Sequence, residues 1–518
     1  MLLANANVPS LTGGSTPDRR TLLVRDGRIA EPSEARASDH VVDLSGCTVL
    51  PGFVDAHVHF RPWAESTRTL RLDGCRSRAE LLERVADAAA AEPSSSWLYG
   101  SGWDDGSLGD PATDPDAQAQ LSAVVGDRPT VLHSRDGHGI WTTNATLLAA
   151  RTDPHTIDVA GGIVERTRDG RFAGVVREES VFTLRRSLPP STLNADALVD
   201  AMRRAAMAGV VRVHDMDGGD ALAAWCAAAS STSADLPLSA RVYLHPDDLD
   251  RLDALRAMVA TVSGVTIGGL KLFADGTLGS GTALLHEPEL ARPGVQPRAG
   301  VAVLARDELE AQITRAAVLG LGTAVHAIGD RAVTTVLDAF ERTRGAWTTI
   351  ADAPRIEHAQ LVQPDDLYRA AALGVTLVVQ PTMLVTDRDE ADARWGPHRT
   401  PHAFALRAML DAGCRIRLSS DAPIEELAPL AAIHAATVRD GGAHGLAPAR
   451  GAWHPEQSIS VLDAVRASVV ASAIRVGDSA DLVVLDGDPL SGSIAHRRIV
   501  ATIRAGRVTW DGDARFAP

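Results

Sequence analysis

The ten residues 51–60, PGFVDAHVHF, constrain the fold of this chain more than any other stretch. An apolar run leads into Asp55, and His57 and His59 come next at alternate positions. Side chains two residues apart point to the same side of a β-strand, so both imidazoles are expected to face one point. Imidazole is a frequent ligand of divalent metals. A bare His-x-His pair also occurs by chance, so its interpretation depends on the residues further along the chain.

Further candidate ligands lie where short apolar runs meet polar or glycine-rich turns. They are Lys271 in GGLKLFADG, His326 in LGTAVHAIG, His358 in RIEHAQ and Asp421 in RLSSDAP. Helical segments such as 306–320, with apolar residues three and four apart, alternate with the apolar runs. This alternation predicts parallel strands. The length of 518 residues predicts a closed (β/α)8 barrel of the TIM type with the ligands at one end.

The order of these motifs resembles that of the amidohydrolase superfamily, specifically the YtcJ-like amidohydrolase family 3 that includes N-substituted formamide deformylases. The resemblance runs from about Thr21 to about Val508. It rests on segments in the family's order, which are PGFVDAHVH, RDGHGIW, KLFADGTLGS, HAIGDRA, RIEHAQ, SSDAPIE and SADLVVLDGDPL. The resemblance implies a metal-dependent hydrolase that cleaves a non-peptide C–N bond of an amide or formamide.

The two ends of the chain show short alternating runs between Gly and Asp turns, a pattern typical of strands. The resemblance implies that residues 1–50 and 475–518 pair into one small composite β-sandwich. Residues 51–474 would then form the barrel, with an insertion at about 60–190. Relatives usually carry a longer segment before the strand near Ala480, so we expect the junction between barrel and sandwich to be trimmed here.

The resemblance also implies a metal centre on barrel strands. One ion would be held by His57, His59 and Asp421, and a second by His326 and His358. Imidazole and carboxylate ligands suit zinc, with manganese or iron as alternatives. The sequence does not decide between one ion and two.

Lys271 is an unusual member of this group, because a buried ammonium beside a dication would be repelled. The resemblance implies that Lys271 reacts with carbon dioxide to form a carbamate, an anion whose two oxygens bridge two metals. The alternative is a mononuclear site in which Lys271 is neutral or pairs with Asp275 or Glu178. The sequence leaves both open.

The ligand types predict a mechanism. A metal lowers the pKa of a water molecule, and the resulting hydroxide would attack a carbonyl carbon. Asp421 would take a proton from that water and give it to the departing nitrogen. His138 or His358 would donate a hydrogen bond to the developing oxyanion. A helix N-cap near Pro423 is the structural interpretation of Asp421, and it is compatible with catalysis.

Substrate contacts are predicted for aromatic and polar residues near the ligands and in the insertion. A small-molecule amide with an apolar or aromatic group would suit the tryptophans, whereas core packing is the competing interpretation. The predicted contacts are Trp63, Trp103, Asp136, His138, Trp141, Glu178 and Phe273.

The composition of the chain disfavours several classes of partner. The formal net charge of -15 disfavours nucleic acid and anionic membranes, which both require a basic face. The four cysteines lack Cys-x-x-Cys spacing, which argues against a disulfide framework or a thiolate zinc site. The start of the chain lacks a signal-peptide pattern and no run is long enough to span a bilayer, so a cytoplasmic protein is expected. A homodimer is an assembly that the sequence allows.

Two other functions remain open at this point. A deaminase or cyclic-amide hydrolase of the same superfamily would use the same metal and Asp421 on a ring substrate, because a fold does not fix its substrate. A non-catalytic metal-binding regulatory protein on the same barrel is the second alternative. Six intact ligand positions argue against it, since an inactive site has no need to hold mutually repelling groups together.

Overall fold

The computed structural model describes most of the chain in two compact units. One unit comprises Met1–Arg61 and Asn194–Pro518, and the other comprises Pro62–Leu193. The described residues are 1–12, 19–72, 74–75, 77–91, 93, 96–103, 117–134, 137, 139–159, 162–189, 193–232, 235–291, 297–442 and 450–516.

The described residues form strands and helices in both units, and the two kinds of element alternate from residue 195 to residue 418 of the first unit. The strands are β1 Leu2–Asn7, β2 Arg19–Arg25, β3 Arg28–Ala30, β4 Val41–Asp43, β5 Thr48–Pro51, β6 Phe53–Val58, β7 Leu70–Arg71, β8 Leu98–Trp103, β9 Thr130–Ser134, β10 Gly139–Thr142, β11 Gly162–Arg166, β12 Phe172–Glu178, β13 Val210–Asp215, β14 Ser239–Leu244, β15 Val265–Phe273, β16 Thr323–Ala327, β17 Arg355–His358, β18 Thr376–Val379, β19 Arg415–Leu418, β20 Leu482–Leu485, β21 Ile499–Arg504 and β22 Arg507–Asp511. The α-helices are α1 Phe60–Ser66, α2 Arg78–Ala91, α3 Ala117–Val125, α4 Asn144–Ala149, α5 Glu179–Ser187, α6 Ala195–Met207, α7 Gly218–Ser231, α8 Leu252–Val259, α9 Arg306–Val318, α10 Asp330–Arg342, α11 Arg344–Trp347, α12 Pro364–Leu373, α13 Met383–Thr386, α14 Arg388–Arg394, α15 Leu406–Asp411, α16 Pro429–Val438 and α17 Val461–Ser468. Short 3-10 helices span Pro32–Glu34, Pro246–Arg251, Thr400–His402, Pro455–Gln457 and Ile494–His496.

The first unit contains a sheet of eight parallel strands in the order β19-β18-β17-β16-β15-β14-β13-β6. Short runs rich in Val, Ile, Leu and Ala suit such strands, which are buried on both faces. The sheet is nearly closed, because the Asp421 amide donates to His57 O at 2.8 Å and the His59 amide donates to Ala422 O at 2.8 Å. The predicted eight-stranded parallel barrel sheet is therefore confirmed.

Helices follow the barrel strands and begin at recognisable caps. The side chain of Asn194 accepts a hydrogen bond from the Ala197 amide at the start of α6, and Ser460 accepts one from the Asp463 amide at the start of α17. Such caps satisfy N–H groups that the helix itself leaves unpaired. The buried face of α6 includes Leu198 and Met202, so an apolar stripe covers the barrel side of the helix.

Strands from both chain ends form a second sheet in the first unit. Its order is β22-β21-β20-β5-β1-β2-β3, with β4 paired to β1. The two ends meet where β5 and β20 pair antiparallel, with Val49 opposite Val484. Both side chains are fully buried in one apolar cluster. The pairing of the chain ends is thus part of the structure, whereas a two-layered sandwich and boundaries at 50 and 475 stay predictions.

The second unit has its own sheet of six strands in the order β11-β12-β10-β9-β8-β7. Its core includes Trp103, Leu121 and Trp141 in one apolar cluster. A second cluster of this unit contains Ile140 and Val176. In the part of the chain described above, no helix is both long and apolar enough to cross a membrane.

Candidate metal centre

All six predicted ligands lie at the carboxyl ends of barrel strands. His57 is in β6 and His59 directly follows it, while Asp421 follows β19 after a short turn. The other three lie in β15, β16 and β17 and are Lys271, His326 and His358. Functional groups of parallel barrels collect at this end, because the loops that leave the strands surround it.

His57, His59 and Asp421 converge on one point. The Nε2 atoms of both histidines lie 3.4 Å from Asp421 Oδ1. One ligand atom from each of the three residues can be chosen so that all lie within 4.8 Å of one another. The backbone hydrogen bonds that join β6 to the segment after β19 create this proximity.

The orphaned atoms of this group fit a cation. His57 Nε2 and Asp421 Oδ1 are both buried, and neither has a hydrogen-bond partner among the described residues. Buried polar atoms are normally satisfied, so an unsatisfied lone pair facing a carboxylate oxygen requires an explanation. Nitrogen and oxygen donors that share one point match the ligand types of divalent zinc, manganese or iron. The residues present therefore fit a metal ion.

His326 and His358 adjoin this group. Their ring centroids are 4.5 Å apart, and the ring of His358 lies 4.9 Å from that of His57. His358 Nδ1 also lies 3.9 Å from Asp421 Oδ2. The four histidines thus form one cluster around the carboxylate. Their predicted division between two ions stays a prediction.

Lys271 is buried in the same region, with 1% of its surface exposed. Burial lowers the pKa of the Lys271 amine to about 8, against the opposing pull of the Glu357 and Asp421 carboxylates. A fraction of the side chain is therefore neutral near physiological pH. Lys271 is also the single lysine of the chain, since the other 50 of the 51 basic residues are arginine.

The environment also shifts the pKa of the candidate ligands. Burial raises the pKa of Asp421 to about 6. Burial, reinforced by the nearby Lys271, lowers the pKa of His57 well below its usual value. Burial opposes protonation of His59, but the Asp217 carboxylate outweighs it and raises the pKa to about 9. Charged and neutral groups are thus interleaved at close range, as expected at a functional site.

Two of the candidate ligands adopt strained backbone conformations. His358 has φ of 73° and Asp421 has φ of 59°. A non-glycine residue in the left-handed region costs roughly 1–3 kcal/mol and persists where the surroundings fix it. Both residues stand at the turn out of a barrel strand, so the strain directs their side chains at the site.

Sequence reasoning missed the residues that hold the histidine rings. His57 Nδ1 donates to Glu357 at 2.6 Å, His59 Nδ1 donates to Asp217 at 2.5 Å, and His358 Nδ1 donates to Gln380 at 3.0 Å. The signals were present, because Glu357 precedes His358 in RIEH, and Asp217 follows β13 in HDMDGG. Only the fold shows that each faces a particular ring.

The predicted alternative partners of Lys271 have other contacts. Asp275 accepts hydrogen bonds from the amides of Leu284, Ile328 and Gly329. It therefore anchors the loop after β15. Glu178 belongs to the second unit, at the end of β12.

The predicted substrate contacts fall into three groups. Phe273 is 38% exposed, and its ring lies 4.8 Å from Lys271 Nζ and 5.5 Å from the His326 ring. Trp103 and Trp141 are each 1% exposed in the core of the second unit. In that unit, the Trp103 indole donates to Leu132 O. Substrate contact by these two tryptophans and by the remaining residues stays a prediction. The remaining residues are Trp63 and Glu178, which are described, and Asp136 and His138, which lie outside the described residues.

Comparison with known proteins gives consistent relatives over nearly the whole chain. YtcJ of Bacillus subtilis (strain 168) is 28% identical over 467 residues, which cover 87% of this chain and 86% of that protein. The N-substituted formamide deformylase of Arthrobacter pascens is 26% identical over an alignment of 543 positions, which covers 97% of this chain and 96% of that protein. Both relatives match most of the present chain rather than one segment of it.

A solved structure is also similar to this chain over nearly its whole length. The crystal structure of an uncharacterized metal-dependent hydrolase from Pyrococcus horikoshii OT3 has a TM-score of 0.74 with this chain at 26% sequence identity, covering 96% of this chain and 99% of that one. The amidohydrolase family matches residues 40–510. With its barrel and its cluster of histidines and aspartate, the chain belongs to the amidohydrolase family.

Proposed function

We propose that this protein is a metal-dependent hydrolase that cleaves the non-peptide C–N bond of a small amide or formamide. The observation that carries the proposal is the convergence of His57 Nε2 and His59 Nε2 on the buried Asp421 Oδ1 at 3.4 Å. The amidohydrolase family and the 26% identity to an N-substituted formamide deformylase support the bond type.

His57, His59 and Asp421 would hold one divalent ion, and His326 and His358 a second. When bound, such ions supply Lewis acidity toward a carbonyl oxygen and lower the pKa of water. We propose that the metal is zinc. Imidazole and carboxylate groups also bind manganese and iron, but their intrinsic affinity for zinc is high.

Asp421 has the proton-transfer role in this proposal. Its Oδ1 faces His57 and His59, whereas its Oδ2 lies on the side of His358, 3.9 Å from Nδ1. The carboxylate accepts a proton from the attacking water as the C–O bond forms. It then donates that proton to the departing nitrogen as the C–N bond breaks, so that an acid and a neutral amine leave. An amide anion would be too poor a leaving group without this second transfer.

Lys271 would carry a carbamate. The neutral amine attacks carbon dioxide, the N–C bond forms, and one proton passes to solvent. The product is an anion at a position where a protonated lysine would be a buried cation among four histidines, so the repulsion of metal ions is removed. An arginine at this position could not react in this way, because its guanidinium stays charged. That the chain keeps its single lysine here, among 50 arginines, supports this chemistry.

Phe273 would contact the substrate. Its ring is partly exposed and adjoins both Lys271 and His326. An aromatic surface beside the reacting groups favours a substrate with an apolar or aromatic group next to the amide. This preference would place N-acyl and N-formyl derivatives of arylalkyl amines first in a substrate screen.

The test is an Asp421→Asn variant assayed on the amide that the parent hydrolyses best. The amide side chain can still lie beside the ligands but cannot relay a proton, so we expect turnover to fall by about 10²- to 10⁴-fold. Metal content, measured by elemental analysis, should stay at one ion per chain or more. Asp366→Asn is the matched control, since Asp366 is buried and arginine-paired on α12 but lies outside the centre.

Near-normal turnover by Asp421→Asn would contradict the proton relay. A parent chain that hydrolyses purines, pyrimidines or hydantoins but no acyclic amide would instead indicate a deaminase or cyclic-amide hydrolase. Bound metal without turnover on any amide, ester or lactone would indicate a non-catalytic protein.

A further inference from the structure

We propose that Glu357, held by Arg355, is a positioning residue that fixes the ring of His57 for metal binding. The inference rests on the proposed metal centre and extends it inward, to residues that no ion or substrate would touch. Its basis is a continuous chain of short polar contacts inside the barrel.

The contact between Glu357 and His57 is short and buried. Glu357 is fully buried, and its Oε2 accepts a hydrogen bond from His57 Nδ1 at 2.6 Å. This bond places the ring proton on Nδ1 and leaves the lone pair on Nε2. It is Nε2 that lies 3.4 Å from Asp421 Oδ1 and has no hydrogen-bond partner in the described chain. The hydrogen bond thus orients the ring and selects the tautomer that can bind a cation.

Arg355 stabilises the charge on Glu357. Its Nε donates to Glu357 Oε1 at 2.8 Å and its Nη2 donates to Oε2 at 3.0 Å, which is a bidentate pairing. Such pairs are strong and geometrically specific. A carboxylate without this partner would be costly in the barrel interior.

The remaining N–H groups of Arg355 bind three other strands. They contact Ala56 O at 2.6 Å, His214 Nδ1 at 2.7 Å and the Tyr243 hydroxyl at 2.8 Å. All five guanidinium donors therefore have acceptors. Lysine has a single nitrogen and could not make these contacts together. The His57 ring is thus fixed to β6, β13, β14 and β17 through one rigid ion pair.

The position of Glu357 in its strand explains the arrangement. Successive side chains of a regular strand point in opposite directions, but the φ of 73° at His358 departs from the extended conformation. Glu357 and His358 therefore both lie against the His57 ring, although they are adjacent in β17. His358 lies beside His326 with the candidate ligands, whereas Glu357 turns to His57, 300 positions earlier in the sequence. One strand therefore contributes a candidate ligand and the residue that orients another.

The test compares the Co(II) affinity of the parent with that of Glu357→Gln, measured by competition with a chelator. A glutamine cannot satisfy His57 Nδ1–H with one oxygen without turning its NH2 toward the Arg355 guanidinium. We expect an affinity loss of about 10- to 100-fold, as found for partners of metal-binding histidines. Asp366→Asn should bind Co(II) like the parent, because it also neutralises a buried, arginine-paired carboxylate but on a peripheral helix.

A second readout does not depend on metal. In metal-free parent protein labelled with ¹⁵N-histidine, the short bond predicts a strongly downfield proton on His57 Nδ1, identified by its loss in His57→Ala. Glu357→Asp, whose carboxylate is one methylene shorter, should retain the ion pair and recover part of the Co(II) affinity. If Glu357→Gln fails to fold, the parent spectrum and Glu357→Asp still decide the matter.

Three results would overturn the inference. They are an unchanged Co(II) affinity in Glu357→Gln, a proton on His57 Nε2 rather than Nδ1, and equal losses in Glu357→Gln and Asp366→Asn. If Glu357→Gln keeps its Co(II) affinity and the parent also binds Co(II), the inference fails but the proposed function stays intact. A parent that binds no divalent metal would overturn the proposed function as well.

Discussion

Each histidine of the candidate centre has one ring nitrogen engaged by a polar neighbour. For His57, His59 and His358 this nitrogen is Nδ1, which donates to a carboxylate or an amide oxygen. For His326 it is Nε2, which lies 3.0 Å from Gly276 O. In the neutral ring the lone pair then resides on Nε2 in the first three and on Nδ1 in His326. The four histidines are thus chemically alike, but His326 would offer a different ring nitrogen to a metal than the other three.

The single lysine permits a direct test of the carbamate. We expect protein equilibrated with ¹³C-bicarbonate to show one carbamate resonance from Lys271, and Lys271→Arg to lack it. Because the arginine stays charged and cannot add carbon dioxide, Lys271→Arg should also bind at most one metal per chain. NMR and elemental analysis on the same samples provide both measurements.

Lys271→Arg retains the backbone amine at the N-terminus of the protein. A resonance that persists in this variant therefore belongs to the N-terminus. Two metals per chain in Lys271→Arg, or a parent without the resonance, would show that Lys271 acts as an unmodified side chain.

At the level of single residues, the sequence could predict which side chains lie together in the candidate centre, but not which residues form hydrogen bonds with the histidine rings. His57 and His59 are found from their two-residue spacing, because a strand makes that spacing meaningful. Glu357 and Asp217 are not, since their contacts with His57 and His59 join positions 300 and 158 residues apart. Spacing rules describe neighbours along one element and carry no information on such pairs.

The barrel closes where β6 meets the segment after β19, and this junction, called the seam below, completes the centre. Among the residues that the structure describes, no regular ladder joins these strands, yet the Ser420 and His57 amides both donate to Asp55 Oδ1, at 3.0 and 3.3 Å. Asp55 is 3% exposed. One buried carboxylate thus fastens the strand that carries His57 to the turn that carries Asp421.

We expect Asp55→Ala to open this seam. Each buried amide left without an acceptor costs about 1–3 kcal/mol, so the free energy of unfolding should fall by a few kcal/mol on the same scale. Metal affinity should fall with it, because His57 and Asp421 lose their common anchor. Chemical denaturation and Co(II) titration measure the two effects.

Asp55→Asn is the matched control, since its amide oxygen can still accept both hydrogen bonds. It should keep most of the stability and metal affinity of the parent. A loss in Asp55→Asn as large as that in Asp55→Ala would show that the charge of Asp55, rather than its acceptor geometry, holds the seam.

The barrel elements were predictable because alternating helices and short apolar runs admit few topologies. The sheet at the chain ends was less so. Alternating runs at 1–50 and 475–518 indicate strands, but they do not specify that β5 pairs with β20 in one continuous sheet. The choice of strand partner depends on contacts between residues that are distant in sequence, and short alternating patterns do not encode it.

At the scale of the whole molecule, the four cysteines report on separate parts of the fold. Cys47 lies in the core of the sheet at the chain ends, and Cys75 lies in a core cluster of the second unit. Cys226 is on α7, and Cys414 directly precedes β19. All four are free thiols and all are buried. Their reactivity is therefore a measure of how tightly each part is closed.

We expect fewer than one thiol per chain to react with Ellman's reagent within minutes at pH 8 in the native protein, and all four to react in guanidinium. Burial raises the pKa of Cys414 to about 11 and raises the pKa of Cys47 and Cys226 as well. The thiolate is the reactive form, so burial lowers both its population and its access to reagent. Ser33→Cys, at an exposed position, should add one rapidly reacting thiol. Rapid reaction of two or more thiols in the native parent would show that at least one of these cores opens on that timescale.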